Sequence, residues 1–267
     1  MTSAVDHPLE TGWLPGTPLG DTVVRRFLRN QIQLNDVIAA ARSGRSRHTD
    51  DVAMSEAGAV TAFLNQAVLQ RPLAGVADPV LDEIEAFYRH SCVLVSAWPT
   101  PELSSRGWQL VGHPTFVIRA AMPAPSCPDP LANGVVVRTV STAADLATFE
   151  VILTDGYPLA PPDDGRPTMV SDLLDTDVTL RLAIVDGRPA AVGASHVAAG
   201  VVNLCMAATL PAARRRGAWA ALAARRIADD ATLPAAAITS DDSRPGFERM
   251  GFLPITRFTL WTRPRGD

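Results

Sequence analysis

The chain has 267 residues, of which 47% are hydrophobic and 19% charged, an ordinary composition for a globular protein with a buried core. Its length suits one large domain or two modest ones. The formal net charge is −4, which argues against nonspecific nucleic-acid binding as the main role. The chain contains arginine but no lysine, so the number of arginines alone carries little information.

Neither a membrane span nor a signal peptide is expected. No apolar stretch approaches the roughly 20 residues that a transmembrane helix needs. The N-terminus lacks the charged start and apolar run of a secretory signal. Three scattered cysteines (Cys92, Cys127 and Cys205) have no metal-ligand spacing. The sequence therefore predicts a reduced cytoplasmic protein without membrane contact, structural disulfides or zinc.

In the first half, apolar residues recur at helical spacing over 21–41 and predict a helix. Asp78 is expected to cap a second helix over 78–89, with Pro79 at its first position. The other elements predicted here are a polar connector (42–51), short strands with an irregular loop (51–73), and strands at 91–96 and 115–119.

Residues 121–130 include four prolines, which can continue neither a helix nor a central strand. This composition predicts a semi-rigid, extended linker. We therefore expect an N-terminal domain over 1–121, a linker over 122–133 and a C-terminal domain over 134–267.

The second half is predicted to alternate strands and helices. Ser141 is expected to cap its first helix, and Asp186-Gly187 is a strong hairpin signal. The predicted strands are 134–140, 179–185, 190–197, 201–209, 235–240 and 255–262, and the predicted helices are 143–154, 218–230 and 243–250.

The segment from Met206 to Leu222 enters as an apolar strand, passes Arg214-Arg-Arg-Gly217 and leaves as an Ala/Leu helix. A strand, loop and helix in this order point several backbone N–H groups into one concavity at the positive end of the helix dipole. Such a concavity suits a phosphate or pyrophosphate, and arginines add charge-assisted hydrogen bonds. The alternative is a surface loop with solvated arginines.

The two halves of the chain have similar sequences near their C-terminal ends. Residues 96–108 align without a gap with residues 240–252, so that Gly107 falls on Gly251, an offset of 144 positions. A shared supersecondary unit explains this economically, and chance similarity in a biased composition is the alternative. The first half has no counterpart to the arginine loop, so only the second half is equipped to hold a phosphate.

Two elements of the second half carry a resemblance to a known family. The loop reads Arg214-Arg-Arg-Gly-Ala-Trp219, and a later element reads Ser240-Asp-Asp-Ser-Arg-Pro-Gly-Phe-Glu-Arg-Met-Gly-Phe252. Together they resemble the signature loop and the later motif of the GNAT acyltransferase superfamily. The resemblance implies an α/β (α+β) protein of two GNAT-like domains, each a mixed, mostly antiparallel sheet flanked by helices. The N-terminal domain would be an incomplete, degenerate copy.

The resemblance also implies acetyl-CoA as co-substrate. Backbone groups after the fourth strand would pair with the pantetheine arm, and the loop would cradle the pyrophosphate. The residues implied in cofactor binding are Ala208, Thr209, Leu210, Arg214, Arg215, Arg216, Gly217, Ala218, Trp219, Ser240 and Ser243. Arg225 and Arg226 are expected to be solvated surface charges.

Three positions depart from the family pattern. Trp219 stands where the loop normally has glycine or alanine, and its ring is expected either at the contact between the domains or in the way of the cofactor. Phe247 replaces the frequent tyrosine acid, and Asn203 falls on the position of a glutamate base. The catalytic residues therefore stay unassigned. Conceivable helpers are His196, Cys205, Ser243 and Tyr157, each weighed against a purely structural role.

The resemblance implies transfer of an acetyl group to a primary amine of a small molecule or peptide through a ternary complex. Eight acidic residues but only one arginine lie between Asp145 and Leu180, where the family usually builds its acceptor pocket. A cationic acceptor would contact Glu150, Asp155, Tyr157 or Asp175, and an ordinary solvated acidic surface is the alternative.

A non-catalytic CoA-binding or interaction protein is the competing interpretation. Nucleic-acid binding is disfavoured, no metal is expected, and a homodimer is left open.

Overall fold

The computed structural model describes residues 23–59, 61–124, 134–156 and 171–265. Five α-helices lie within these ranges: α1 (Val23–Ala41), α2 (Pro79–Phe87), α3 (Ala143–Gly156), α4 (Ala218–Ile227) and α5 (Arg244–Arg249). The strands of the first half are β1 (Arg45–His48), β2 (Val52–Glu56), β3 (Asn65–Leu69), β4 (Cys92–Ser96), β5 (Gln109–Gly112) and β6 (Thr115–Arg119). Those of the second half are β7 (Val135–Thr139), β8 (Val178–Val185), β9 (Arg188–Ala198), β10 (Val201–Thr209), β11 (Ala235–Thr239), β12 (Leu253–Arg257) and β13 (Thr259–Arg263).

These strands form two mixed sheets. One has the order β1-β2-β3-β4-β13-β5 and the other β12-β6-β11-β10-β9-β8-β7. Each sheet contains one parallel pair, β3 with β4 and β10 with β11, among antiparallel neighbours. The predicted fold class, an α/β protein with mixed and mostly antiparallel sheets flanked by helices, is confirmed.

The two sheets exchange one strand each. Strand β6, from the first half, lies between β11 and β12, whereas β13, the last strand of the second half, lies between β4 and β5. Their first residues, Thr115 and Thr259, are separated by the same offset of 144 that aligns the two segments in sequence. Both sheets thus draw strands from both sides of the predicted linker, most of which lies outside the described residues. The domain boundaries stay a prediction.

The end of the chain differs from its prediction. The single strand expected over 255–262 is two strands, β12 and β13, separated by Phe258, whose ring stacks on that of Phe116 at a centroid distance of 5.3 Å. A continuous run of β-forming residues carries no local sign of a crossing from one sheet to the other. Strands β1 and β5 were also not predicted, because both are short and exposed. At the start of α3, Thr142 rather than Ser141 accepts the capping bond, from Asp145 N at 3.1 Å.

Helix α1 packs against strands of both sheets. Its buried residues include Asn30, Gln31 and Asn35, which are polar where the helical pattern expects apolar side chains. Asn30 Nδ2 donates to carbonyl oxygens of the second sheet, at His196 (3.0 Å) and Val201 (3.1 Å). Buried polar groups need such partners, and here the pairing fixes α1 to β9 and β10.

No helix within the described ranges is long and apolar enough to cross a bilayer.

Candidate active site

Strand β10 carries a β-bulge in the middle of the second sheet. It pairs in register with β9 from Val201 to Cys205 and again from Ala208, but Met206 and Ala207 lie opposite the single residue Gly193. Met206 adopts a left-handed conformation with φ 46°. A bulge of this kind bends its strand and redirects the backbone groups beyond it.

On its other side, β10 separates from β11. The two strands pair only at Val202 and Asn203, near the start of β10. Beyond this point, the backbone groups of β10 that face β11 have no ladder partner among the described residues, which leaves room for a ligand to bond to those that no side chain already contacts. Of the three residues predicted to pair with pantetheine, Ala208 and Thr209 lie in this splayed segment. Leu210 N instead donates to Ala190 O (3.0 Å).

The loop after β10 leads directly into α4. Gly217, at φ 86°, occupies the N-cap position, and no side chain among the described residues caps the helix. The first intrahelical bond runs from Ala221 N to Gly217 O (3.0 Å), so the N–H groups of Ala218, Trp219 and Ala220 have no intrahelical acceptor. Because β10 and β11 are parallel neighbours, this loop lies at the same edge of the sheet as the mouth of the splay. The arrangement can accept an anion at the positive end of the helix dipole.

The three loop arginines are exposed. Arg214 Nε donates to Thr209 O at 3.4 Å, and Arg216 forms an ion pair with Asp186 in the hairpin turn between β8 and β9. Arg215 has a left-handed backbone, with φ 61°. All three guanidinium groups therefore lie at the surface around the helix N-terminus, where they can reach an anionic ligand.

Trp219 packs against α5. Its ring meets that of Phe247 edge to face, with centroids 4.9 Å apart. A Cβ added at Gly246 would lie 2.9 Å from Trp219 Cζ3, so only glycine leaves room for the indole. The large residue in the loop is thus accommodated between α4 and α5, which differs from both expectations for this ring.

Ser240 and Ser243 follow β11 at the same edge of the sheet as the loop. Their hydroxyl oxygens are 2.9 Å apart, and Ser243 Oγ also contacts Thr239 Oγ1. These bonds shape the turn into α5. The structure therefore brings both serines close together beside the splay.

At the two positions where the family usually has its general acid and its general base, this chain has side chains that can neither donate nor accept a proton in catalysis. Asn203 is buried and its Nδ2 donates to Gln31 Oε1 of α1 (3.1 Å). Phe247 lies between Trp219 and Phe252.

Near the splay, His196 is buried and Cys205 is half-buried. His196 Nδ1 is 3.0 Å from Asn30 Oδ1, and burial lowers the pKa of its imidazole. Burial raises the pKa of the Cys205 thiol to about 12, against the opposing effect of Arg226. Both groups thus prefer their neutral forms at neutral pH.

The predicted acceptor residues are only partly brought to the site. Gly156, at the end of α3, packs so closely on β10 that an added Cβ would lie 3.0 Å from Ala208 Cβ. The neighbouring Asp155 is exposed, and so is Asp175, the last residue of a short 3-10 helix, Ser171–Asp175. Glu150 is half-buried on α3. Tyr157 lies outside the described residues. No group of three potential metal ligands occurs among the described residues.

One buried residue beside the bulge was missed. Arg226 is fully buried, although we expected a solvated charge, whereas Arg225 is exposed as predicted. The available signal was Gly193, a glycine inside a strand, which often marks a close approach by another group.

Solved structures share this fold. A GCN5-related N-acetyltransferase from Kribbella flavida is 23% identical at a TM-score of 0.59, covering 90% of this chain and 96% of that one. A protein from Novosphingobium aromaticivorans assigned to the GNAT acetyltransferases is 15% identical at 0.55, with coverages of 88% and 99%. A GCN5-related N-acetyltransferase-like protein from Streptococcus suis is 13% identical at 0.51, with coverages of 91% and 99%.

No protein-family model and no curated protein matches the sequence. The chain has the GNAT fold that the two sequence elements predicted.

Proposed function

We propose that this protein binds acetyl-CoA along β10 and at the N-terminus of α4, and transfers the acetyl group to a primary amine of a small molecule or peptide in a ternary complex. The proposal rests on one observation, that the gap between β10 and β11 leads directly to the N-terminus of α4. The splay of β10 from β11 opens toward the N-terminus of α4, which no side chain in the described part of the chain caps. Amide groups of the pantetheine arm would pair with backbone groups around Ala208 and Thr209 that face away from β9. The pyrophosphate would accept from the N–H groups of the loop.

The chemistry needs little acid or base from the protein. The amine nitrogen attacks the thioester carbonyl carbon, the C–S bond breaks, and the electron pair leaves on sulfur as the CoA thiolate. The amine must lose one proton. Asn203 and His196 are both held by α1, so the amine would arrive neutral or release its proton to water. A thiolate leaves without an acid, so Phe247 is compatible with this reaction.

The acceptor is proposed to be cationic in solution. Asp155 lies one residue before the glycine that packs on Ala208, and Asp175 is exposed. Carboxylates near the splay would raise the local concentration of an amine cation. Glu150 and Tyr157 are proposed as further contacts of the acceptor. A solvated acidic surface without an acceptor role remains the alternative.

Two assays on the full chain test the proposal. Calorimetric titration with acetyl-CoA measures binding. Release of free thiol is then followed with polyamines, aminoglycosides and peptides with free N-termini. We expect saturable binding and thiol release that depends on one acceptor class. The rate should rise with pH toward the pKa of the acceptor amine, because the neutral amine is the nucleophile.

A non-catalytic CoA-binding protein is the second candidate. Asn203, bonded to Gln31, and Phe247 favour it, since neither can move a proton. Tight binding of acetyl-CoA without acceptor-dependent thiol release across the whole panel would support this candidate and contradict transfer. An absence of binding would contradict both.

A further inference from the structure

Arg226, on α4, is a buried cation that the proposed chemistry does not use. Its side chain has no exposure to solvent, and burial lowers the pKa of its guanidinium to about 10. The carboxylate of Asp229, which opposes this lowering, is engaged elsewhere. It forms an ion pair with Arg181 and accepts from the hydroxyl of Ser195.

The guanidinium of Arg226 bonds to both strands at the bulge. Its Nη1 donates to Ala194 O of β9 (3.2 Å) and to Cys205 O of β10 (3.3 Å). Ala194 and Cys205 are opposite one another and form the last pair before the register shift. Nε donates to Leu222 O, one turn earlier on α4 (3.3 Å). Arg226 therefore ties the helix to the ladder at the point where the ladder is interrupted.

Gly193 makes this contact sterically feasible. It is the single residue opposite the two extra residues of the bulge. A Cβ added to Gly193 would lie 2.9 Å from Arg226 Cζ and 3.0 Å from Nε. Nonbonded contacts this short between a Cβ and another heavy atom are sterically forbidden, so any larger residue at 193 would displace the guanidinium. The bulge, the glycine and the arginine form one unit.

This unit is not explained by stability alone. Arg226 Nη2 has no hydrogen-bond partner among the described residues. Replacing a buried, incompletely paired charge with an apolar side chain of similar volume is often neutral or stabilising. A role in fixing one conformation accounts for such a residue better.

We propose that Arg226 is a positioning residue that fixes the bulge of β10 and thereby holds β10 apart from β11 in the form that admits the pantetheine arm. The effect on ligand rests on the proposed function, whereas the effect on the bulge does not. Without the arginine, the carbonyl groups of Ala194 and Cys205 lose their shared donor. The segment from Cys205 to Ala208 then samples other conformations, only some of which can pair with a ligand.

The test compares Arg226→Met with Arg225→Met, which makes the same chemical change at the exposed neighbour on the same helix. Hydrogen exchange is measured in the protein without ligand, followed by calorimetry with CoA. In Arg226→Met we expect the amides of residues 206–208 to exchange about tenfold or more faster while those of β8 are unchanged. We also expect CoA to bind about tenfold more weakly. Arg225→Met should match the wild type in both measurements, and Arg226→Lys, which keeps a donor, should recover part of the protection.

Gly193→Ala is the second variant. If Arg226→Met does not fold, this variant tests whether Arg226 fixes the bulge of β10. It keeps the charge but pushes the guanidinium from its place, so it should loosen the same amides. Unchanged exchange at residues 206–208 in a folded Arg226→Met or Gly193→Ala protein would overturn the inference. If the wild type does not bind CoA, the proposed function fails, and the exchange measurement still decides the role of Arg226.

Discussion

Two helices of this molecule follow a central strand in the same way but begin differently. At α2, the N-cap residue is Asp78, whose carboxylate accepts from Val80 N (3.1 Å), Ala74 N (2.8 Å) and Arg71 Nη1 (2.7 Å). At α4, the N-cap residue is Gly217, none of the described side chains caps the helix, and the arginines around it are exposed. Both helices follow the first strand of a parallel pair, β3 or β10.

The difference shows how one supersecondary unit can be closed or open to a ligand. In the first half, a carboxylate of the chain takes the place that an external anion would need, and Arg71 neutralises it. Strand β3 also pairs with β2 and β4 without a register shift. In the second half, both the helix N-terminus and the edge of β10 are left available. We therefore expect acetyl-CoA to bind only at the second of the two helices.

The largest effect should come from closing the open site. Gly217→Asp would place a carboxylate at the N-cap of α4, as Asp78 does at α2, and would repel the pyrophosphate. We expect CoA affinity to fall about 100-fold by calorimetry, from charge repulsion at close range. Gly217→Asn is the matched control, because asparagine tolerates the left-handed conformation equally well without the charge. Equal affinities of the two variants would contradict an anion site at Gly217.

Removing the indole that joins α4 to α5 tests stability apart from binding. Trp219→Ala should lower the free energy of unfolding by about 2 kcal/mol in urea, below the cost for a fully buried tryptophan because the ring is half-buried. The affinity for CoA should change less than about threefold, because the ring packs on Gly246 and Phe247. Trp219→Phe is the control and should keep most of the stability. A large gain in affinity for Trp219→Ala would instead mean that the ring obstructs the ligand.

Removing the carboxylate of α2 should affect folding and not binding. Asp78→Asn keeps a capping oxygen but loses the ion pair with Arg71, so we expect a loss of about 1.5 kcal/mol in the free energy of unfolding. CoA affinity should stay unchanged. The appearance of a second CoA site in this variant would also be informative, because it would show that Asp78 alone keeps the first half closed.

The same carboxyl makes stability depend on pH. The hydrogen bond from Arg71, with further bonds from Ala74 and Val80, holds the pKa of Asp78 well below its ordinary value. Its contribution is therefore fully present above the ordinary carboxyl pKa of about 3.9 and is lost as the pH falls below it. Urea unfolding at pH 7 and pH 3 should show a smaller difference for Asp78→Asn than for the wild type.

The smallest effect is expected at the hairpin that faces the loop. Asp186→Asn releases Arg216 from its ion pair and removes a negative charge near the anion site. CoA affinity should rise about threefold at low salt and less at high salt, as for other exposed charges. Asparagine accepts the left-handed conformation of Asp186, φ 50°, so the turn should be preserved. An affinity that falls would mean that the pair orients Arg216 productively.

Local features of the site were predictable from sequence. Asp78 and Pro79 start α2, Asp186 and Gly187 form the hairpin turn, and the loop before α4 lies where the two motifs placed it. Each of these features depends on residues a few positions apart. The chemistry of a cap or a tight turn is therefore visible in a short stretch of sequence.

Features that depend on distant contacts were not predictable. The exchange of β6 and β13 is one, because both segments are equally good strands in either sheet. The pairing of Gln31 with Asn203 is another, since it joins residues 172 positions apart. The burial of Arg226, on α4, depends on the absence of a side chain at Gly193 of β9. In each case the neighbouring sequence agreed equally well with the competing interpretation, which was an ordinary strand or a solvated polar residue.

A crystal structure with acetyl-CoA is the most direct test of an open second helix and a closed first one. We predict one molecule per chain, with pyrophosphate oxygens about 3 Å from backbone nitrogens between Arg215 and Trp219. The pantetheine arm should lie beside Ala208 and Thr209, and no ligand should bind at Asp78. Pyrophosphate density at α2, or away from the N-terminus of α4, would contradict the account.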